Sequence, residues 1–98
     1  MLFVVTITYV APIEDIEKST EDHRAYLRKL KTAGRLVASG PFVPRNGGML
    51  LIDAESREQL DYLLRGDPFN QRTLATYEIK QWNPVIGAEL FTPPKPQA

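Results

Sequence analysis

The run LFVVTITY, from Leu2 to Tyr9, restricts the fold of this chain more than any other feature of the sequence. It is rich in β-branched and aromatic residues that alternate with a period of two, which predicts a β-strand. Its two faces carry Phe3, Val5 and Ile7 on one side and Leu2, Val4 and Thr6 on the other. Because a strand that is apolar on both sides is usually central, we expect this strand inside a sheet, with something packed over each face.

A helical pattern follows. Residues 11–17 predict a loop, and Ser19 is then a suitable N-cap, with acidic residues in the first turn after it. This helix is predicted to run to about Ala33, with Gly34 placed to end it.

A second helix is predicted further along the chain. Ser56, followed three residues later by Gln59, is a capping-box signature, and Gly66 is placed to stop the helix. Asp67 and Pro68 then form a pair that typically starts a short helical turn, with the aspartate as N-cap.

Three further runs, RLVASG, GGMLLID and TLATYEIKQW, have the pattern of strands. The order β-α-β-β-α-β predicts the ferredoxin-like arrangement, an α+β domain with a four-stranded antiparallel sheet and two helices on one face. We expect residues 1–90 to form this domain and residues 91–98 to form a Pro-rich tail. The other sheet face would carry Leu2 and Val4 uncovered, and such a face usually marks an interface. We therefore expect a homodimer through the open sheet face, in which two sheets make a dimeric α+β barrel.

Composition excludes several functions. The 98 residues include 12 basic and 12 acidic side chains, so no net charge draws the chain to nucleic acid or to an anionic membrane. The absence of cysteine excludes disulfides and thiolate metal sites, and a single histidine, His23, does not make a standard zinc site. No P-loop, GxGxxG or RNP1-type pattern is present. We expect no cofactor or metal and, without a recognisable leader segment, a cytoplasmic location.

The predicted topology brings three distant segments to one edge of the sheet. The first helix begins at the C-terminal end of the first strand, and the second helix, which is antiparallel to it, ends there. His23 in the first turn of the first helix, Asp67 just past the second helix, and Ala38–Phe42 at the end of the second strand are therefore expected to converge.

Such a convergence would have useful chemistry. A carboxylate within hydrogen-bond reach fixes the tautomer of an imidazole and stabilises its protonated form, whereas the positive end of a helix opposes protonation. We expect Asp67 to cap its turn with one oxygen and to orient His23, a general acid/base, with the other. The candidate substrate-binding residues are Tyr9, Phe42 and Phe69 as apolar walls, with Ser39 and the backbone N–H groups near Gly40 as partners for an oxygen.

Other interpretations remain open at this point. A lone histidine on the inner face of a helix is most often structural, and Asp67 read locally is only a cap. The basic run Arg28, Lys29 and Lys31 is typical of a solvated helix face, and Trp82 of a packing or dimer contact.

The sequence resembles the YciI-like (YCII-related) family over roughly residues 1–90. The resemblance rests on MLFVVTITY, HRAYLRKLKTAGRLVASGPF and LLRGDPF followed by YEIKQW, in this order and spacing. It implies a ferredoxin-like fold that pairs as a dimeric α+β barrel, and a paired active site at His23 and Asp67. Ser39, Gly40 and Pro41 match the Gly-Pro turn beside that site.

The resemblance also implies a reaction class. A few members of the family are dehydrochlorinase-type lyases, and related barrels include muconolactone isomerases and small monooxygenases, so a cofactor-independent elimination or isomerisation of a small cyclic molecule is expected. The alternatives are a non-catalytic small-molecule-binding or accessory domain that uses the same pocket, and a purely structural tie between the two helices.

Overall fold

The computed structural model describes residues 1–91. Its elements are β1 (Leu2–Tyr9), α1 (Ile13–Thr32), β2 (Leu36–Pro41), β3 (Gly47–Asp53), α2 (Arg57–Arg65), α3 (Pro68–Gln71), β4 (Ala75–Trp82) and a 3₁₀ turn (Ala88–Phe91). The predicted order β-α-β-β-α-β is confirmed, and α3 is the short turn expected after Asp67. Of the predicted Pro-rich tail, residues 92–98 lie outside the described part of the chain.

The four strands form one antiparallel sheet in the order β2-β3-β1-β4. As predicted, β1 is central: Val5 lies opposite Leu50 of β3 on one side and Ile79 of β4 on the other. Because β1 and β2 each run antiparallel to β3, they point the same way, and their C-terminal ends share one edge of the sheet.

The core lies between the sheet and the helices on one of its faces. Phe3, Val5 and Ile7 of β1 are buried there. They belong to a cluster that also contains Ile16, Leu27, Leu30, Leu36, Leu50, Ile52, Leu60, Leu64 and Phe69. Each large apolar side chain buried in this way stabilises the fold by about 1.5–3 kcal/mol. This packing fixes α1 and α2 over the sheet and sets where their ends lie.

The start of α1 differs from the prediction. The helix begins at Ile13 after Pro12, so residues 13–17 are helical rather than a loop, and Ser19 is a buried residue inside the helix rather than its N-cap. The physical reason is Ile16, which is 0% exposed in the core and can reach it only if the helix starts earlier. His23 therefore lies in the middle of α1, where the effect expected from a helix N-terminus does not apply. The other end is as predicted, since Gly34 follows the helix with a φ of 76°.

Candidate active site

His23 and Asp67 meet at the edge where β1 and β2 end. The imidazole Nδ1 of His23 lies 2.7 Å from Oδ1 of Asp67. The carboxylate side chain is only 1% exposed and the imidazole 11%, so the pair is largely shielded from water. The structure thus brings together two residues that are 44 positions apart in the sequence.

Asp67 is held in place by the ends of two helices. Ser56 Oγ accepts the Gln59 N–H at 3.0 Å and starts α2 as predicted, and the Asp67 N–H donates to Leu64 O at the other end of α2. Oδ1 of Asp67 accepts the Phe69 N–H at 3.0 Å and thereby caps α3. The cap and the histidine contact therefore use the same oxygen, which corrects the expectation that each would use its own.

The second oxygen of Asp67 has a partner that the sequence did not reveal. Oδ2 accepts the hydroxyl of Tyr77 at 2.6 Å. Burial, together with the Asp67 carboxylate beside it, raises the pKa of Tyr77 well above its ordinary value, so this hydroxyl stays protonated and donates. Strand alternation places Tyr77 on the helix-facing side of β4. Its contact with Asp67 also requires the register of β4 against β1, in which Tyr77 lies opposite Ile7.

These contacts orient the imidazole. Its ring stacks on Phe69 with a centroid separation of 4.0 Å and an interplanar angle of 7°, and Tyr9 in turn packs edge-on against Phe69 at 5.8 Å. Since a carboxylate oxygen only accepts, Nδ1 carries the hydrogen of the contact with Asp67. In the neutral imidazole Nε2 then presents a lone pair, and it has no hydrogen-bond partner among residues 1–91.

His23 lines a cavity with a volume of about 290 Å³. Of the candidate substrate-binding residues, Tyr9, Ser39, Gly40, Pro41 and Phe69 also line it. The remaining members of the lining are Ile7, Thr20, Arg24, Leu27, Arg28, Lys31, Leu36, Arg45, Gly48, Met49 and Leu50.

Phe42 and the basic run of α1 lie differently with respect to the cavity. Phe42 is 38% exposed and is not among the residues that line the cavity. Arg28, Lys29 and Lys31 are exposed, as expected of a solvated helix face, and Arg28 and Lys31 also line the cavity, whereas Lys29 does not.

Among residues 1–91, no three His, Cys, Asp or Glu side chains are grouped so that they could hold a metal ion. No helix in the same range is both long and apolar enough to cross a membrane.

The fold and the site define a small α+β domain in which a buried histidine–aspartate pair faces a cavity. The chain belongs to the YCII-related domain family, whose profile matches residues 1–83. It is 30% identical over 79 residues to the uncharacterized protein YjpA of Bacillus subtilis (strain 168), across 76% of this chain and 93% of YjpA.

A solved structure has the same fold. The chain is similar to 5-chloro-2-hydroxyhydroquinone dehydrochlorinase (TftG) from Burkholderia phenoliruptrix AC1100, which was solved in complex with 2,5-dihydroxybenzoquinone. The TM-score is 0.75 at 22% identity, and the match covers 85% of this chain and 94% of that chain. At this identity the likeness shows the shared α+β fold.

Proposed function

We propose that this protein is an enzyme in which His23 is the general acid/base and Asp67 positions it. The observation that carries this proposal is the 2.7 Å contact between Nδ1 and Oδ1 at the wall of a cavity of about 290 Å³. Because the contact occupies Nδ1, Nε2 is left to accept a proton from a bound molecule. The buried carboxylate then stabilises the imidazolium that forms.

The reaction class is elimination or isomerisation of a small cyclic organic molecule. In an elimination, Nε2 takes a proton from a ring carbon, the electron pair of that C–H bond becomes a new C=C bond, and a leaving group such as chloride departs with its own bonding pair. The imidazolium then returns the proton to water. In an isomerisation the same proton returns to a different carbon of the substrate. Neither reaction needs a cofactor.

The surroundings of His23 support a cyclic substrate. The imidazole of His23 and the half-buried ring of Tyr9 offer aromatic surface, with Phe69 packed beneath His23, and Ser39, Gly40 and Pro41 line the cavity where a substrate oxygen would lie. The structural neighbour TftG acts as a dehydrochlorinase and was solved with a cyclic ligand. Family membership and this likeness support a related chemistry for the present chain.

A non-catalytic binding domain is the competing function. The observation that favours it is that Asp67 also caps α3 and accepts the Tyr77 hydroxyl, so the pair has a structural use even without turnover. Binding without product formation, retained in an Asp67→Asn variant, would support this alternative.

We propose that a second copy of the chain covers the sheet face opposite the helices. This face carries the half-buried Leu2 and Val4, and its rim includes Trp82, which is 38% exposed and packs edge-on against Phe91 at 5.0 Å. Two such faces packed together would give the dimeric α+β barrel.

A cytoplasmic location fits a chain without cysteine.

The experiment that tests the enzymatic proposal is a screen of small lactones, quinols and halogenated cyclic compounds. Wild type and His23→Ala are screened in parallel, with product formation followed by mass spectrometry. We expect turnover by wild type and its loss in the variant. Full activity of His23→Ala on a compound that wild type converts would overturn the proposal.

A further inference from the structure

The cavity beside His23 has a one-sided charge. Its lining includes four cationic side chains, Arg24, Arg28, Lys31 and Arg45, and no aspartate or glutamate. The chain as a whole has 12 basic and 12 acidic residues, so this excess is a local property of the cavity. A cleft lined by one sign of charge concentrates ions of the opposite sign.

These four side chains, called here the cationic rim, come from two sides of the cavity. Arg24, Arg28 and Lys31 follow one another along α1 at helical spacing, which places them on one stripe of the helix. Arg45 belongs to the connection between β2 and β3, and its guanidinium donates to Thr20 Oγ1 of α1 at 3.0 Å. The rim therefore faces the cavity from the helix and from the opposite loop.

The rim is not neutralised within the described chain. Three of the four other arginines have carboxylate partners: Arg72 pairs with Asp22 at 2.8 Å, Arg57 with Asp61 at 3.0 Å and Arg35 with Glu55 at 3.3 Å. None of the four rim side chains forms an ion pair with another residue in 1–91. All four side chains are exposed at the cavity, so an anion bound there would meet cations that have no carboxylate partner of their own.

We propose that the cavity takes a compact monocyclic organic anion, whose ring lies beside His23 and Tyr9 and whose charged oxygen group meets the cationic rim. This inference rests on the proposed function and names its substrate class. The volume of about 290 Å³ limits the ligand to a small molecule. The rim also faces the negative charge that develops on the substrate when His23 removes a proton from carbon, and it stabilises that charge.

The test is calorimetric titration of the intact chain at neutral pH with four probes. Benzoate carries a carboxylate and 2,5-dihydroxybenzoquinone ring oxyanions, whereas benzamide and hydroquinone are neutral counterparts. We expect at least one anionic probe to bind about tenfold more tightly than its neutral counterpart. We also expect this affinity to fall as salt rises from about 50 to about 300 mM. Which anion binds more tightly distinguishes a carboxylate from a ring oxyanion.

Variants of α1 test which side chains cause the preference for anionic probes. Arg28→Gln and Lys31→Gln are each expected to weaken binding of the anionic probe about threefold to fivefold. Lys29→Gln is the matched control, because this lysine is exposed on the same helix but does not line the cavity. The inference is overturned if neutral and anionic probes bind equally, if neither anion binds, or if Lys29→Gln weakens binding as much as Lys31→Gln.

A His23→Asn variant separates this inference from the catalytic proposal. We expect it to keep its preference for anions and to lose turnover. Anion binding by a wild-type protein that converts no compound supports the present inference and counts only against catalysis. Turnover that depends on His23 without any preference for anions overturns the present inference alone.

Discussion

Asp67 is the residue on which the candidate site depends most. It is 1% exposed, yet its carboxylate accepts hydrogen bonds from His23, from the Phe69 N–H and from Tyr77. Burial of a carboxylate is costly unless its oxygens are hydrogen-bonded, and these three donors meet that requirement. One side chain thereby joins α1, α3 and β4 at the place where the cavity opens.

Replacing Asp67 with Ala and with Asn separates its structural contribution from its charge. Asp67→Ala leaves a buried Tyr77 hydroxyl and the Phe69 N–H without their partner, and it should lower the free energy of unfolding by about 3 kcal/mol. Asp67→Asn keeps an accepting oxygen and should cost about 1 kcal/mol or less. Urea denaturation of both variants checks this. Equal stability of wild type and Asp67→Ala would contradict the structural account.

Tyr77 predicts a specific dependence of stability on pH. Its pKa is raised in the folded chain above the ordinary 10.0, chiefly by burial and then by Asp67. Above pH 10 the Tyr77 hydroxyl loses its proton in the unfolded chain but keeps it in the folded chain. The contribution of Tyr77 to the free energy of unfolding is therefore intact below pH 10 and declines as the pH rises above it. Each pH unit above pH 10 lowers the free energy of unfolding by up to about 1.4 kcal/mol.

The control for this prediction is Tyr77→Phe. Denaturation curves of both proteins between pH 9 and pH 11 give the difference in their free energies of unfolding, in which the other titrating groups cancel. The wild type should lose stability more steeply than the variant above pH 10. Parallel curves would contradict the assignment of a buried, donating tyrosine beside Asp67.

At the scale of elements, the sequence indicated the helices and strands better than it indicated the start of α1. Ser19 with acidic residues after it is a good local N-cap signature, but it competes with the burial of Ile16 in the core. A single buried isoleucine outweighs a cap, at about 1.5–3 kcal/mol against about 1 kcal/mol. The capping signals at Ser56 and Asp67 had no such competitor and were confirmed.

The approach of α1 to α2 depends on Gly66. A Cβ at this position would overlap the ring and hydroxyl of Tyr26, whose O–H donates to Leu63 O at 2.6 Å. Gly66→Ala should displace Tyr26 and lower the free energy of unfolding by about 1–3 kcal/mol. Gly40→Ala is the control, because nothing lies within 4 Å of its Cβ position. Equal stability of the two variants, measured in urea, would count against this packing.

At the scale of the whole molecule, the order and direction of the elements predicted that α1 and the end of α2 bring His23 and Asp67 together, although His23 lies in the middle of α1 and not in its first turn as expected. The contact of Tyr77 with Asp67 could not be predicted, since it depends on the register of β4 against β1. The cavity-facing position of Arg28 and Lys31 was missed for a similar reason: a basic helical stripe is the same in the sequence whether it faces solvent or a cleft. That Phe42 lies outside the cavity could not be predicted either, because it depends on the path of the chain after β2 ends at Pro41.

The proposed homodimer is tested by light scattering coupled to size-exclusion chromatography. We expect twice the mass of the 98-residue chain for wild type. Val4→Asp places an uncompensated charge on the open sheet face and should shift the equilibrium to monomers. Tyr62→Asp, at an exposed position of α2 on the opposite layer, should leave the dimer intact. A monomeric wild type would contradict the proposed interface.

The central claim, that Asp67 holds His23 as the general acid/base of a catalytic site, is tested most directly by kcat. The measurement compares wild type, His23→Asn and Asp67→Asn on a compound that wild type converts, with folding of each variant confirmed by its melting temperature. We expect a loss of about a hundredfold or more in kcat for His23→Asn, and a smaller loss for Asp67→Asn, in folded proteins. A folded His23→Asn variant with wild-type kcat would contradict it.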